Sequence, residues 1–599
     1  MCGILGIATT PDHQPGADDD VIRRMRDRMT HRGPDDEGLW RSRNVALAHR
    51  RLAVLDPTPA GHQPMITADG RFALVYNGEL YNDPELRAEL TGLGASFSTG
   101  CDTETALTAL VRWGPRAIDR FRGMYALALV DTHAQTITLA RDPLGIKPLH
   151  YWTGTLGGRP HLVFASEIQA ILEHPGIRAQ PDLVGVSAYL TTIRTTMGSR
   201  TMFMGVNTLE PGQILTFDLQ QPTRIAASRS IEVLPGPLEL DADVVRHVVS
   251  DSVTRHLRAD VPTCCLLSGG LDSAICTKVA SERTEWLKTY CAGDPDAAPI
   301  NGVPQSDDFA HARSVAHQLG TSHTEVRVDR QLFRQRWGDM IDRSGMPLST
   351  PNEVAINEVA RTLRADGHVV TLSGEGADEL FAGYDGPLRS AIEHIENGDR
   401  DPGLFQLNCA AWIGPDVKAA LFNPDVWTAL DRDDELITGY RESFESLRLP
   451  GDEPLQTHLR FQRRINLEGL LRRLDSATML ESVEGRTPFA DIEVAALADS
   501  LPMDRRIRFN GADARTKIAL RDAFAGDLPA AIVERPKASF PLPFQSWVAD
   551  SIDQLDRSTL VSEMFLPEAI DAVKARPTEL WNLAWPMLNV AMWSSRWWG

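Results

Sequence analysis

Thr263-Cys264-Cys265-Leu266-Leu267-Ser268-Gly269-Gly270-Leu271-Asp272-Ser273 decides the fold of the longer part of this 599-residue chain. A short apolar run stops at Ser-Gly-Gly, and a helical pattern starts near Ala274. That order reads as strand, glycine loop and helix N-terminus. Gly269 and Gly270 would let backbone N–H groups approach an anion closely. The hydroxyls of Ser268 and Ser273 and the start of a helix add donors and positive potential. Asp272 could hold Mg2+ against pyrophosphate oxygens. The loop is not a Walker motif, because no G-x-x-x-x-G-K followed by Ser or Thr occurs. Taken alone, a Gly-Gly helix entry with no ligand is an equal reading. A second loop changes that: Val369-Val370-Thr371-Leu372 runs into Ser373-Gly374-Glu375-Gly376-Ala377-Asp378-Glu379-Leu380-Phe381. Asp272 and Asp378 could then share Mg-ATP at neighbouring strand ends.

Outward from this pair the texture stays α/β. Thr289-Tyr290-Cys291-Ala292 reads as another strand, and Phe309, Ala312, Val315, Ala316 and Leu319 follow helical spacing up to Gly320. Strands alternating with helices predict a parallel sheet with ligands at its C-terminal edge. From about 390 the chain reads as mainly helical. Its last 19 residues hold Trp581, Trp585, Trp593, Trp597 and Trp598, for which helix packing or an interface is the expected role. Asp475, Glu484 and Arg486, and the later Lys517 and Lys537, are candidate charged site residues; a buried Lys could offset phosphate charge. Before residue 206 the pattern is different: Val45–Ala48, Phe72–Tyr76, Tyr125–Val130 and Ile137–Ala140 are short strands, with helices near 20–30 and 84–92. That is an α+β or layered-sheet pattern. Pro211-Gly212, Pro222 and Pro235-Gly236-Pro237 make 206–240 the expected linker, between domains at 2–205 and 241–599.

Cys2 is the informative residue of the first domain. With Met1 removed it carries a thiol and a free α-amine, and such an amine can serve as a base near neutral pH. A free amino acid needs a cation for its carboxylate and an anion for its ammonium; Arg51 and Asp102 could supply them. A thiol attacking an amide creates an oxyanion, which the Asn77 side chain and the Gly78 N–H could stabilise. By spacing alone, Asn77-Gly78 reads as a turn, and Arg51 and Asp102 as surface charges.

Met1-Cys2-Gly3-Ile4-Leu5-Gly6, His31-Arg32-Gly33-Pro34-Asp35, Tyr76-Asn77-Gly78-Glu79 and Asp102-Thr103-Glu104 resemble the glutaminase domain of class II glutamine amidotransferases. Arg141-Asp142-Pro143-Leu144-Gly145-Ile146-Lys147-Pro148-Leu149 and Phe164-Ala165-Ser166-Glu167-Ile168 fit the same family, in order, over most of 2–172. The resemblance implies a four-layered α-β-β-α Ntn-hydrolase fold, glutamine binding at Arg51, Asn77, Gly78, Glu79 and Asp102, and ammonia release through a Cys2 thioester. Residues about 241–550 are similar to the synthetase domain of the asparagine synthetase B family. That domain has a doubly wound adenine-nucleotide α-hydrolase fold with a PP-loop, here with helical additions. This resemblance implies Leu267, Ala292, Ser373 and Gly374 near adenosine, Asp272 and Asp378 on Mg2+, Glu375 as base when ammonia attacks, and Lys537 in adenylation. Departures stand at Lys537-Ala538-Ser539-Phe540, at Val483–Asp491 and at Thr191–Gly198; none removes a phosphate or metal ligand, and all leave the acceptor side open.

The two resemblances imply amidation of a carboxylate through an acyl-adenylate, with L-aspartate as acceptor. A different acid in specialised metabolism is the alternative. Relatives that cyclise β-amino acids typically lack the N-terminal Cys, so Cys2 counts against that branch. A non-catalytic glutamine or nucleotide scaffold is the reading of another class. Composition sets outer limits. A net charge of −20, from 61 Lys+Arg and 81 Asp+Glu, disfavours binding to nucleic acid or anionic membranes. Seven scattered Cys without a C-x-x-C pair suggest neither a disulfide framework nor structural zinc. No apolar run spans a bilayer, and no basic segment precedes the apolar N-terminus, so a cytoplasmic enzyme is expected. A homodimer is left open.

Overall fold

The computed structural model describes residues 2–14, 18–236, 240–294, 308–511, 513–537 and 542–599. The first domain is a sandwich of two antiparallel sheets, of eight and six strands. Strand Gly3–Thr9 runs between Val45–Arg51 and Arg159–Ala165 in the larger sheet. Its residues alternate: Ile4 and Ala8 face the second sheet, while Leu5 and Ile7 face helix Asp19–Asp27 through Ile22 and Met25. In the second sheet, Ala73 and Val75 of strand Phe72–Leu80 point inward. Leu74 and Tyr76 pack outward on helices Asp83–Gly92 and Asp102–Trp113. Helix, sheet, sheet and helix are therefore stacked in that order, as the layered pattern and the family resemblance predicted.

The expected linker is shorter than 206–240. Strand Val206–Thr208 pairs with His150–Leu156 in the larger sheet, and Gln213–Asp218 and Ile225–Ser230 complete the smaller one. Pro211-Gly212 is a tight connection between strands, held where the Gly212 N–H donates to the Asp142 carbonyl at 2.8 Å. The physical signal was the alternation Ile214, Leu215, Phe217, which places side chains on both faces of the sheet. Punctuation by Pro and Gly masked it.

The second domain centres on a five-stranded parallel sheet ordered Ser322–Arg327, Lys288–Gly293, Thr263–Leu266, Val370–Leu372, Glu484–Arg486. Chain order reverses between Thr263–Leu266 and Val370–Leu372. In a doubly wound sheet that switch point opens a crevice at the strand C-termini. Helices Leu271–Ser281, Asp308–Leu319 and Asn352–Ala365 flank the sheet. The Trp-rich end is helix Trp581–Trp598. Trp585 stacks on Trp337 at 4.5 Å, and the indole N–H groups of Trp593 and Trp597 donate to the Gly345 carbonyl. Phe203 of the first domain lies 5.1 Å from the Trp593 ring, so this helix also fastens the two domains together.

Candidate active site

Two centres arise from these frameworks. In the first, Cys2 precedes its strand and its N–H donates to Asn77 Oδ1 at 2.8 Å. Asn77 is fully buried, and its Nδ2 has no hydrogen-bond partner among the described residues. A buried amide donor with nothing to donate to is costly unless a ligand oxygen completes it. Asn77-Gly78 is not a turn: both residues lie inside strand Phe72–Leu80. Glycine is needed there because a Cβ would come 2.2 Å from the Met124 carbonyl oxygen on the neighbouring strand. Burial pushes the Cys2 thiol up, so the sulfur is held neutral. Met1, whose removal the catalytic reading requires, lies outside the described residues.

Of the expected glutamine ligands Arg51, Asn77, Glu79 and Asp102 are buried, so neither Arg51 nor Asp102 is a surface charge. Arg51 donates to the carbonyls of Thr58, Leu55 and Asp56, at 2.8, 3.0 and 2.6 Å. These contacts fix the fork, which has no ion-pair partner among the described residues. Asp102 accepts from the Leu80 N–H at 2.8 Å, and burial pushes its carboxyl up to about 6. Burial and the neighbouring Asp102 also push Glu79 well above the usual range.

At the switch point of the second domain the two loops touch. A Cβ on Gly374 would come 2.9 Å from both Asp272 Cβ and the Ser273 nitrogen, which ties that position to glycine. Ser268 N–H donates to Ser273 Oγ at 3.2 Å, and Ser273 Oγ donates to the Gly270 carbonyl at 3.1 Å. A cavity of about 320 Å3 opens over them. Leu267, Ser268, Gly270, Asp272, Ser273 and Ala292 line one part of it; Ser373, Gly374, Glu375, Asp378 and Lys537 line the rest. Gly269 stands behind the lining, its carbonyl accepting from Arg535 Nη1 at 2.8 Å.

Lys517, which the sequence offered only as one of two candidate cations, bridges the two carboxylates. Its ammonium lies 2.6 Å from Asp272 Oδ2 and 2.5 Å from Asp378 Oδ1, while Lys537 sits 2.6 Å from Asp378 Oδ2. Against the cost of burial, the two lysines hold Asp378 down to about 2; Asp272, with one lysine and a facing carboxylate, is held up by burial. Asp272 Oδ1 is buried without a hydrogen-bond partner among the described residues. Glu375 Oε1 accepts from Arg473 Nη2 at 2.5 Å, and Arg473 also holds Thr350 Oγ1 at 3.0 Å. The departure after Lys537, at Ala538–Phe540, lies outside the described residues.

Asp475, Glu484 and Arg486 do not line the nucleotide cavity; they face the first domain. Arg486 donates to Glu484 at 2.6 Å, to Glu79 at 3.1 Å, and to the carbonyls of His256 and Arg258. Asp475 accepts from Arg32 at 3.0 Å and from Lys147 at 3.3 Å, and Arg32 Nε donates to the Cys2 carbonyl at 3.1 Å. The Cys2 centre is thus tied by a buried charge network to helix Glu468–Met479, whose Arg473 lines the nucleotide cavity. The signals for Arg32 and Lys147 were present in the His31-Arg32-Gly33 and Gly145-Ile146-Lys147 stretches, but their partner is more than three hundred residues away.

A buried thiol beside an unfilled amide donor and a two-carboxylate, two-lysine phosphate crevice, fastened in one molecule, define a two-centre amidotransferase. A family described as glutamine amidotransferase domain matches residues 1–226, and one described as asparagine synthase matches 244–595. The chain belongs to the asparagine synthase family and is a glutamine-hydrolysing, ATP-dependent ligase. It is 32% identical to a putative glutamine-hydrolysing asparagine synthetase of Mycobacterium tuberculosis, over 92% of this chain and 88% of that one. It is 30% identical to glutamine-hydrolysing asparagine synthetase 3 of Bacillus subtilis, over 90% and 87%. It is also 26% identical to the amidase chry2 of Gibberella zeae, over 91% and 90%. Among the described residues, no helix is long and apolar enough to cross a membrane.

Proposed function

We propose that this chain converts L-aspartate, L-glutamine, ATP and water to L-asparagine, L-glutamate, AMP and diphosphate. The observation that carries the reading is the joint at Arg32: one guanidinium touches the Cys2 carbonyl and the Asp475 carboxylate, and Asp475 stands on the same helix, Glu468–Met479, as Arg473, which lines the phosphate crevice. In the first centre the Cys2 thiol would give its proton to its own α-amine and attack the glutamine side-chain carbon. Asn77 Nδ2 would take the oxyanion, ammonia would leave, and water would release glutamate from the thioester. In the second, a carboxylate oxygen would attack the α-phosphorus, with diphosphate leaving toward Lys517 and Lys537. Ammonia would then add to the acyl carbon, lose a proton to Glu375 and displace AMP. Excluding water between the centres protects both the adenylate and neutral ammonia.

Asp272 and Asp378 fit Mg2+ carried in with ATP. Both are hard oxygen donors, and Asp272 Oδ1 has no hydrogen-bond partner among the described residues. They would hold the ion, which would supply charge neutralisation along the phosphates. The Glu375–Arg473 pair must loosen for Glu375 to accept a proton; an ammonium-forming step beside it would favour that exchange.

A second reading, amidation of a different carboxylic acid, is favoured by the volume between the domains, a cavity of about 1100 Å3 that borders Arg473. The test is direct. Purified full-length protein with glutamine, Mg-ATP and L-aspartate is expected to yield asparagine, glutamate, AMP and diphosphate in equal amounts. Amide from another acid and none from aspartate would replace the acceptor and keep the chemistry. Absence of both glutamate release and ATP–diphosphate exchange would overturn the reading in favour of a binding scaffold.

A further inference from the structure

Thr191–Gly198 belongs to neither centre, yet all of it but Thr191 and Ile193 lines the cavity of about 1100 Å3 between the domains. The segment is held in an unusual conformation. Ile193 has φ 53°, a costly value for a β-branched residue. The facing wall includes the π-helical turn Arg463–Leu467, a form that concentrates at functional sites. Arg194 follows Ile193 and lies over Gly469. It donates to the Tyr440 hydroxyl at 3.1 Å and to Asn466 Oδ1, and has no ion-pair partner among the described residues.

Next to it, Arg472 donates to Thr195 Oγ1 at 3.0 Å and to Glu468 Oε1 at 3.2 Å. The same Glu468 oxygen takes Arg141 Nη1 at 2.9 Å. Two guanidinium groups therefore share one carboxylate in a largely buried wall, with the guanidinium of Arg194, unpaired among the described residues, beside them. Burial and the neighbouring guanidinium of Arg141 outweigh Glu468 and bring Arg472 down to about 10, the sign of a cation short of counter-charge. His150 lines the same wall at 5% exposure, and its Nδ1 has no hydrogen-bond partner among the described residues. Other cations nearby are paired, Arg464 with Glu210, Arg473 with Glu375, and Arg32 and Lys147 with Asp475, while the buried Glu353 of the same cavity accepts from Ser349. The cavity's outer rim is acidic and exposed, at Asp431, Asp434 and Glu435. An acidic mouth opposes polyphosphates and admits a small or zwitterionic acid.

We propose that Arg194, Arg472 and His150 receive a second carboxylate of the acceptor, the one that is not activated by ATP. Arg473 borders both this cavity and the nucleotide cavity, and Arg194 packs over Gly469, one helical turn before Arg473, so the carboxylate subsite adjoins the wall shared with the adenylation site. A planar guanidinium pair with an imidazole donor matches a carboxylate's lone pairs. The assignment names the residues that would tell a dicarboxylic from a monocarboxylic acceptor and rests on the reading that a carboxylate is adenylated beside Glu375.

The experiment compares wild type with Arg194→Gln, His150→Gln and Arg194→Lys, using ammonia as nitrogen donor and L-aspartate, glutarate and butyrate as acids. Arg194 is half-buried, so its variants are safer for folding than those of Arg472. Arg194→Gln is expected to raise KM for the dicarboxylates about tenfold or more while KM for butyrate and ATP stays put. Arg194→Lys should recover part of the loss. Equal changes for mono- and dicarboxylates, or none, would overturn the assignment. Thermal shift with succinate separates the two layers of the claim. Stabilisation of wild type that Arg194→Gln abolishes supports carboxylate recognition here even if no acid is amidated, an outcome that would break the adenylation reading alone. Succinate binding lost in the variant with unchanged dicarboxylate KM would make this a separate regulatory site and overturn the acceptor role.

Discussion

The two centres handle charge in opposite ways. Around Cys2 burial suppresses ionisation: the thiol is held up, Asp102 is pushed up to about 6, and Asn77 presents a neutral donor. Around Asp272 and Asp378 the charges are kept and set against one another through Lys517 and Lys537. Amide hydrolysis passes on neutral ammonia, and a pocket that holds its thiol and its acid toward their neutral forms suits it. Adenylation handles several phosphate charges at once, and preorganised cations are then the largest available stabilisation. The contrast says that the first centre depends on what it excludes, and the second on what it contains.

The strongest way to break this comparison is Cys2→Ala. Glutamine-dependent amide formation should vanish, and ammonia-dependent formation should persist in the same assay. Loss of both would give Cys2 a structural role in the second domain. Lys517→Met should do the reverse: ATP–diphosphate exchange and ammonia-dependent synthesis fall by roughly 10²–10³, while glutamate release continues. If exchange survives, the cation that matters is Lys537 alone.

A smaller effect, read as stability, tests the network between the centres. Arg486→Met removes the guanidinium that joins the buried Glu484 and Glu79 and should cost about 3–5 kcal/mol in denaturant unfolding. A cost near zero would mean that one of these carboxyls is already protonated. Smallest is the pH effect. Burial pushes Glu353 and Glu379, beside the second centre, up to about 7. Such groups hold protons in the folded chain after the unfolded chain has lost them. Their contribution is present at low pH and lost as pH rises from about 4.5 to about 7. Glu353→Gln should flatten that decline, measured as denaturation midpoints at pH 5 and pH 8. Glu167 and Asp378, each down to about 2, act in the opposite direction, and their contribution is lost as pH falls below about 4.

Residues close together in sequence were the legible part of each centre. Ser268–Ser273 and Ser373–Asp378 could be read because a strand end, a glycine loop and a helix start are consecutive in the chain. Cys2 could be read because its chemistry comes from its position. Lys517 could not be weighed, since one lysine among many gains meaning from two carboxylates on other loops. Asp475, Glu484 and Arg486 were recognised as charged and special, but their partners Arg32, Lys147 and Glu79 lie in the other domain.

The sequence by itself determined two domains of different texture, the nucleotide loops at a sheet edge, and a thiol poised at the N-terminus, because local periodicity and loop chemistry need no distant partner. The tertiary structure alone decided that strands to residue 230 complete the first sandwich, that Gly78 is required by a neighbouring strand, that Lys517 bridges both aspartates, and that most of Thr191–Gly198 lines a cavity between the domains. Each of those depends on close approach between segments far apart in the chain, where packing and desolvation fix what a charge or a missing side chain means.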